Sequence, residues 1–225
     1  MENEQKKIFL SGFQKIIRNR LSQSYKNNIH VSMFMNINMS KVINKKKELE
    51  EFNPQVKYSL YSFFIDVVAR CLKEFPIFNS YYINEEIFEN KDINIGVALS
   101  FNERLYVPNI KKCQDLTIND IANSLNKKIE KVKVNKLKKQ DISDGTFTIT
   151  NLGSYGVDYF TSIINPPEVA ILSIGSIKSK PICINNEIKI QPILVLGLTF
   201  CHNILNGTMA ANFLGTIKSK LENYN

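Results

Sequence analysis

His202-Asn203-Ile204-Leu205-Asn206-Gly207 follows directly on the apolar run 193–198, and His202 is one of only two histidines in the chain. Imidazole is the side chain best suited to moving a proton near neutral pH. A base at this place would take the proton from a thiol, hydroxyl or amine as that group attacks an acyl carbonyl. The hydrophobic strand before it would keep the ring dry and neutral. Gly207 permits a tight chain reversal that other residues resist. A histidine satisfied by a backbone carbonyl at a strand end would look the same, and spacing alone does not separate the two readings.

Cys201 adjoins His202, but neighbouring side chains on a strand point to opposite faces, which argues against a cysteine–histidine dyad. His30 stands alone on an earlier strand, where it either lines a pocket or packs. The stretch Gly145-Thr-Phe-Thr-Ile-Thr150-Asn-Leu-Gly153 offers hydroxyls and an amide beside a flexible turn. Such donors suit an oxyanion site, and they suit ordinary strand and turn bonding equally well. Gly153-Ser-Tyr-Gly156 has the wrong glycine spacing for a phosphate or dinucleotide loop.

Hydrophobic periodicity places these residues on elements. Helical spacing of Phe13, Ile16, Ile17 and Leu21 predicts a helix over Phe9 to Tyr25, with Lys15, Arg18 and Arg20 on other faces. A two-residue period predicts a strand over Ile29 to Met39, with His30 and Phe34 on the mixed face. Phe34, Met33 and Met35 either shape a substrate tunnel or fill the core. Ser40 is placed as the cap of a helix through Leu49. Tyr58 to Phe75 reads as a buried helix ended by Pro76. Strands follow at Ile93 to Leu99 and Arg104 to Ile110. Asp115 or Thr117 opens a helix through the lysine-rich segment, with Leu116, Ile121, Leu125 and Val132 in its stripe. Strands at Gly145 to Thr150 and Val169 to Ile177 flank a turn and the Pro166-Pro167 break. Asn185-Asn186 turns a hairpin, Gln191 to Phe200 is a further strand, and Thr208 to Leu221 is the last helix. The pattern is α/β, a mixed β-sheet with helices packed on it, in one domain over residues 1–225.

At 225 residues, 44% hydrophobic and 22% charged, the chain suits one sizeable core. The apolar runs are too short to span a bilayer, and the acidic N-terminus does not resemble a signal peptide. The expected location is the cytoplasm. Cys71, Cys113, Cys183 and Cys201 form no close pair, so neither a metal nor a disulfide framework is expected. The formal charge of +8 concentrates in Lys45 to Lys47, Lys111-Lys112 and Lys127 to Lys139. Without interleaved aromatics or a recognition module, these lysines read as a solvated surface; no nucleic-acid partner and no membrane is expected. They could also steer a polyanionic cofactor.

Three segments, in order and at these spacings, carry a resemblance. They are Gly145 to Gly156, Ile163-Ile-Asn-Pro-Pro-Glu-Val-Ala-Ile-Leu172, and His202-x-x-x-Asn206-Gly207 continued by Met209 to Leu214. Weaker echoes lie at Gly12 to Arg20, Phe75-Pro76 and Ile95 to Pro108. From about Phe9 to Leu221 the chain resembles the catalytic domain of the dihydrolipoamide acyltransferases of 2-oxoacid dehydrogenase complexes. More distantly it is similar to chloramphenicol acetyltransferase.

The resemblance implies a two-layer α/β sandwich assembled as a homotrimer, with active sites between subunits. Coenzyme A, as acyl-CoA substrate, and the second substrate would enter a channel from opposite ends. His202 would be the general base, and Thr150, usually serine in the family, would hydrogen-bond the oxyanion. Asn206, usually aspartate there, would support the histidine loop together with Gly207, with Arg18 or Arg20 as its hydrogen-bonding partner. His30 and Phe34 are weaker candidates for the channel. The chain departs from the family's common Asp-His-Arg at Cys201-His202-Asn203, losing two compensating charges together. No metal and no lipoate attached to this chain are expected, nor a lipoyl or subunit-binding domain. A C-terminus ending Leu221-Glu-Asn-Tyr-Asn225 lacks the family's apolar anchor, which implies a free trimer. A lipoyl or other carrier protein would then act in trans, or a small amine or alcohol would be the acceptor. The rival expectation is a non-catalytic trimeric scaffold, motivated by Cys201, Asn203 and Asn206. A nucleic-acid binder rests on charge alone.

Overall fold

The computed structural model describes residue 9, residues 11–102 and residues 104–225, without the side chain of Phe13. Leu10 and the N-terminal stretch considered for a leader lie outside the described residues, as does the Phe13 side chain of the first stripe.

The helices are α1 (Gly12–Asn27), α2 (Ser40–Phe52), α3 (Leu60–Glu74), α4 (Ile118–Lys133), α5 (Lys139–Ile142) and α6 (Gly207–Glu222). The strands are β1 (His30–Asn38), β2 (Ser80–Ile83), β3 (Glu86–Glu89), β4 (Ile95–Val97), β5 (Leu99–Phe101), β6 (Arg104–Tyr106) and β7 (Asn109–Ile110). They continue as β8 (Phe147–Asn151), β9 (Ala170–Ile174), β10 (Lys178–Ile184) and β11 (Glu187–Cys201). The main sheet runs β1-β11-β9-β8-β4-β7, with β10 paired to β11. β4, β8 and β9 are parallel neighbours, and the remaining pairs are antiparallel. The mixed α/β sheet expected from the sequence is therefore present.

One sheet face carries the core. Ile37, Ile95, Phe147, Ile149, Leu172, Leu196, Leu198 and Phe200 pack under α3 and α6, whose Phe63, Phe64, Val67, Val68, Phe213 and Ile217 are buried. Phe213 stacks on Phe78 at 4.1 Å between ring centroids and meets Phe75 and Phe147 edge-on at 5.7 and 6.0 Å. Each such ring buried contributes roughly 1.5–3 kcal/mol, and this cluster fixes α6 on the sheet. The other face is polar. Thr148, Ser173 and Thr199 stand on it under a strap, residues 157–168, which binds them through Phe160, Ser162, Asn165 and Glu168, and Ser32 bonds the Thr199 hydroxyl beside them.

Local chemistry explains most boundaries. Thr117 caps α4 in a reciprocal box with Asp120, as its position before the apolar stripe predicts. Asn185 and Asn186 both take positive φ, 52° and 64°, the turn that joins β10 to β11. Ser11 caps α1, which begins later and ends later than expected. Ser40 is not a cap but the first helical residue: the side chain of Asn38 accepts its amide at 3.0 Å. The lysine-rich helix stops at Lys133 and restarts as the short α5. Lys128 and Lys131 fasten the two by donating to buried Asp141 at 2.6 and 2.9 Å, so part of the supposed solvated face is internal. The expected strand at 104–110 is two strands separated by Val107-Pro108, and the two expected strands at 188–200 are the single β11. Its first part and β10 project as a ribbon carrying Ile188 and Ile190, 81% and 73% exposed.

Candidate active site

His202 stands one residue past β11, in a turn tied to the start of β1. Its amide donates to the Ile29 carbonyl at 2.8 Å, and the Ile29 amide donates to Asn203 Oδ1 at 2.8 Å. The Cys201 thiol, fully buried, donates to the same Asn203 oxygen at 3.3 Å. Burial pushes that thiol up, away from the thiolate, and neither geometry nor charge makes it a nucleophile. Cys201 and Asn203 thus bond each other in a neutral pair and fasten the histidine turn.

The His202 ring lies 5.8 Å from the Phe200 ring, is exposed, and takes no hydrogen bond among the described residues. The dry setting expected for it is not supplied by its own chain, because the ring sits beyond the strand end rather than under the core. His30 carries the satisfied geometry instead. Ile164 N–H donates to His30 Nε2 at 3.1 Å, which leaves the proton on Nδ1 for the Asn28 carbonyl at 3.1 Å. Nε2 thus ties β1 to the strap, and Nδ1 ties the ring back to the end of α1.

Asn206 caps α6. Its Oδ1 accepts the Met209 amide at 2.9 Å, satisfying one of the orphan donors of the first turn. The expected partnership with Arg18 or Arg20 is absent within the described residues. Arg20 donates to the Pro166 carbonyl at 2.8 Å, and exposed Arg18 has no polar partner there. Gly207 begins α6 with an ordinary φ and open space around it, so the chain does not require glycine for a reversal at this point.

Thr150 lies on the polar sheet face, half-buried, with a hydroxyl that has no partner among the described residues. It shares one cross-strand row with Ser173, Gly197 and Phe34. Phe34 lies over Gly197, where a Cβ would come within 2.8 Å of its ring, and meets Tyr159 edge-on at 5.4 Å. Phe34 is therefore on the strap side, while Met33 and Met35 pack against the core. From this row His202 is five residues further along β11 and its turn, and two strands across from Thr150. That is about 17 Å along the strands and about 10 Å between them. One protomer does not bring its own Thr150 and His202 together.

Glu168 was not singled out by motif. It is 2% exposed, and burial pushes its carboxyl up to about 7. The legible signal was an acid directly preceding the wholly apolar Val169-Ala-Ile-Leu172.

Residues 2–225 match the sequence model of the 2-oxoacid dehydrogenases acyltransferase (catalytic domain) family. The chain belongs to this family. Within it, the dihydrolipoyllysine-residue acetyltransferase component of the acetoin cleaving system of Bacillus subtilis (strain 168) is 32% identical over 224 residues. The match takes in 98% of this chain and 56% of that protein, so the chain spans about half of that relative's length. A probable dihydrolipoamide acetyltransferase from Listeria monocytogenes 4b F2365 superposes with TM-score 0.93 at 32% identity, covering 99% and 96% of the two chains. The Azotobacter vinelandii dihydrolipoamide acetyltransferase superposes with TM-score 0.92 at 26% identity, covering 97% and 92%. Crystallographic and enzymatic work on it addressed the role of a serine, a histidine and an asparagine in its catalytic mechanism. A chloramphenicol acetyltransferase shares the fold alone, with TM-score 0.61 at 12% identity over 91% of this chain and 94% of that one. No helix among the described residues is long and apolar enough to cross a membrane.

Proposed function

We propose that this chain is the catalytic domain of a CoA-dependent acyltransferase. It moves an acyl group between a CoA thioester and a second nucleophile, for which a lipoyl thiol supplied in trans is the leading acceptor. One observation carries the assignment of roles. The serine, histidine and asparagine of the Azotobacter vinelandii enzyme are spaced 52 and 4 residues apart, and Thr150, His202 and Asn206 are spaced by the same 52 and 4.

His202 takes the proton from the attacking thiol as its sulfur bonds to the thioester carbonyl carbon. The carbonyl oxygen becomes an oxyanion, to which the Thr150 hydroxyl donates. The bond to the leaving sulfur then breaks, and the imidazolium returns its proton to the departing thiolate. Asn206 holds the turn by capping α6. Because Thr150 and His202 of one protomer lie too far apart to act on one carbonyl, the site takes them from neighbouring protomers. This supports a homotrimer with active sites at its interfaces. Such an interface would also supply the shelter that the exposed His202 ring lacks in its own chain. The departures at Cys201 and Asn203, which motivated a non-catalytic scaffold, make a bonded neutral pair here and do not favour that reading.

The test is release of free CoA thiol from acyl-CoA given dihydrolipoamide or a lipoyl domain, in wild type and in His202→Ala. Wild type should turn over, and the variant should lose at least about two powers of ten in kcat while keeping its oligomeric state. Full activity in His202→Ala removes it as the base.

A further inference from the structure

A site that takes Thr150 from one protomer and His202 from another requires the surfaces around these two residues to meet. Around His202 the exposed apolar groups gather about His30. Tyr25 stacks on the His30 ring at 5.6 Å between centroids and is 67% exposed. Ile29, whose carbonyl accepts the His202 amide, is 62% exposed. Ile163 precedes the Ile164 amide that donates to His30, and it too is exposed. These three side chains make an apolar rim beside the base.

A second apolar strip begins at the turn after Thr150. Leu152 and Tyr155 are exposed on that turn, which lies close against the end of β9. The Leu152 amide donates to the Ile174 carbonyl at 3.2 Å, and a Cβ on Gly153 would stand 2.3 Å from the Gly175 carbonyl oxygen. Exposed Ile177 follows between β9 and β10, and the ribbon of β10 and early β11 continues the strip. Register sets Pro181 opposite Ile190 and Cys183 opposite Ile188 on one face of the ribbon, all four exposed and none charged. The other face carries Lys178, Lys180 and Lys189, and its Ile182 and Ile184 are half-buried beside Asn38, Ser40 and Glu222. The uncharged face is therefore turned away from its own protomer.

Rim and strip stand at opposite ends of β11. His202 lies five residues past Gly197, which is level with Thr150, while Ile190 and Ile188 lie seven and nine residues before it. In extended chain that is about 23 and 30 Å. Uncovered apolar strips of this length mark contact surfaces. Two different surfaces at the two ends of one chain fit a head-to-tail contact, which closes into a ring when every copy repeats it.

We infer that the strip from Leu152 to Ile190 receives a second copy of this chain. The rim of Tyr25, Ile29 and Ile163 on that copy seats at the foot of the strip, and the ribbon lies along its body. The contact sets the neighbour's His202 against Thr150. This rests on the proposed sharing of the site between protomers. The ribbon isoleucines are too far from Thr150 to touch substrate, so they act on turnover through assembly alone.

The experiment follows wild type and Ile188→Lys/Ile190→Lys by sedimentation and acyl-transfer assay over an about hundredfold dilution series. Both isoleucines are open in the single chain, so the circular dichroism of the variant should match wild type. Charges in the contact should raise the dissociation constant at least about a hundredfold, and specific activity should fall on dilution and return on concentration. Phe52→Lys, exposed at the end of α2 and outside the strip, should change neither; an equal loss there overturns the assignment to this strip. A second measurement co-assembles Tyr155→Cys chains with Ile163→Cys chains, both also Cys183→Ser, and treats them with a bismaleimide. Cys71, Cys113 and Cys201 are buried, so the two introduced thiols should link one chain to the next. An oligomeric, active wild type whose assembly is indifferent to both lysines, or whose introduced thiols never link, overturns this inference alone. A wild type that transfers acyl groups as a monomer overturns the shared site and this contact with it. A wild type without acyl transfer overturns the proposed function, while sedimentation and the links still decide the contact.

Discussion

The separation of Thr150 from His202 makes a quantitative prediction about mixed assemblies. Thr150 is level with Gly197 through Ser173, and His202 lies five residues beyond Gly197. The resulting ~17 Å along the strands and ~10 Å across them exceed what two side chains can close around one carbonyl. If each site draws the base from one protomer and the hydroxyl from its neighbour, His202→Ala and Thr150→Ala must complement. Take oligomers assembled at random from equal amounts of the two variants. A site is intact when its base comes from a Thr150→Ala chain and its hydroxyl from a His202→Ala chain. Each condition holds half the time, so about one quarter of all sites are intact; tandem purification removes the unmixed quarter of the trimers, and about one third of the sites in purified hybrids recover wild-type turnover. The assay is CoA thiol release after co-expression with two affinity tags and tandem purification of hybrids. Each parent alone should show a tenth or less of wild-type activity. Hybrids no more active than the mean of the parents would refute the geometry, because residues acting within one protomer can never be reunited by mixing.

Two further outcomes follow from local contacts. Asn206→Ala removes the side-chain cap of α6 and should cost about 1 kcal/mol, lowering the melting temperature by about 2–4 °C; Asn206→Asp, which keeps the acceptor, should not. Asp141 is held well below the usual carboxylate range by the Lys128 ammonium first and by the Lys138 amide and Lys131 besides. Its stabilisation is full above about pH 4 and is lost as pH falls further, so Asp141→Asn should flatten the loss of melting temperature below pH 4, and an unchanged acid slope would exclude the bridge.

Elements dictated by local chemistry were legible. The alternation of β1, the cap of α4 and the asparagine turn of the ribbon each follow from a side-chain preference expressed within a few residues. What depends on distant partners was not. Asn206 reads only as a support of the histidine loop with an arginine partner, and its role as the cap of α6 comes from the Met209 amide that the fold brings to its side chain. Residue type draws attention to His202, and the family resemblance gives Thr150 and His202 their roles as donor and base, but strand order places them far apart, and strand order is not written in either stretch. Glu168 follows two prolines, where an acid ordinarily stays wet. Its burial arises because the strap folds it onto β8, a contact twenty residues away in sequence.

The ribbon of β10 and early β11 matters before any chemistry begins. Ile188 and Ile190 stand on paired strands whose outer edges are open among the described residues, with Lys178, Lys180 and Lys189 as charged guards. In a single copy this projection leaves both isoleucines open to solvent, an apolar surface that favours association. Soluble yield in overproduction should therefore depend on how quickly newly made chains meet one another.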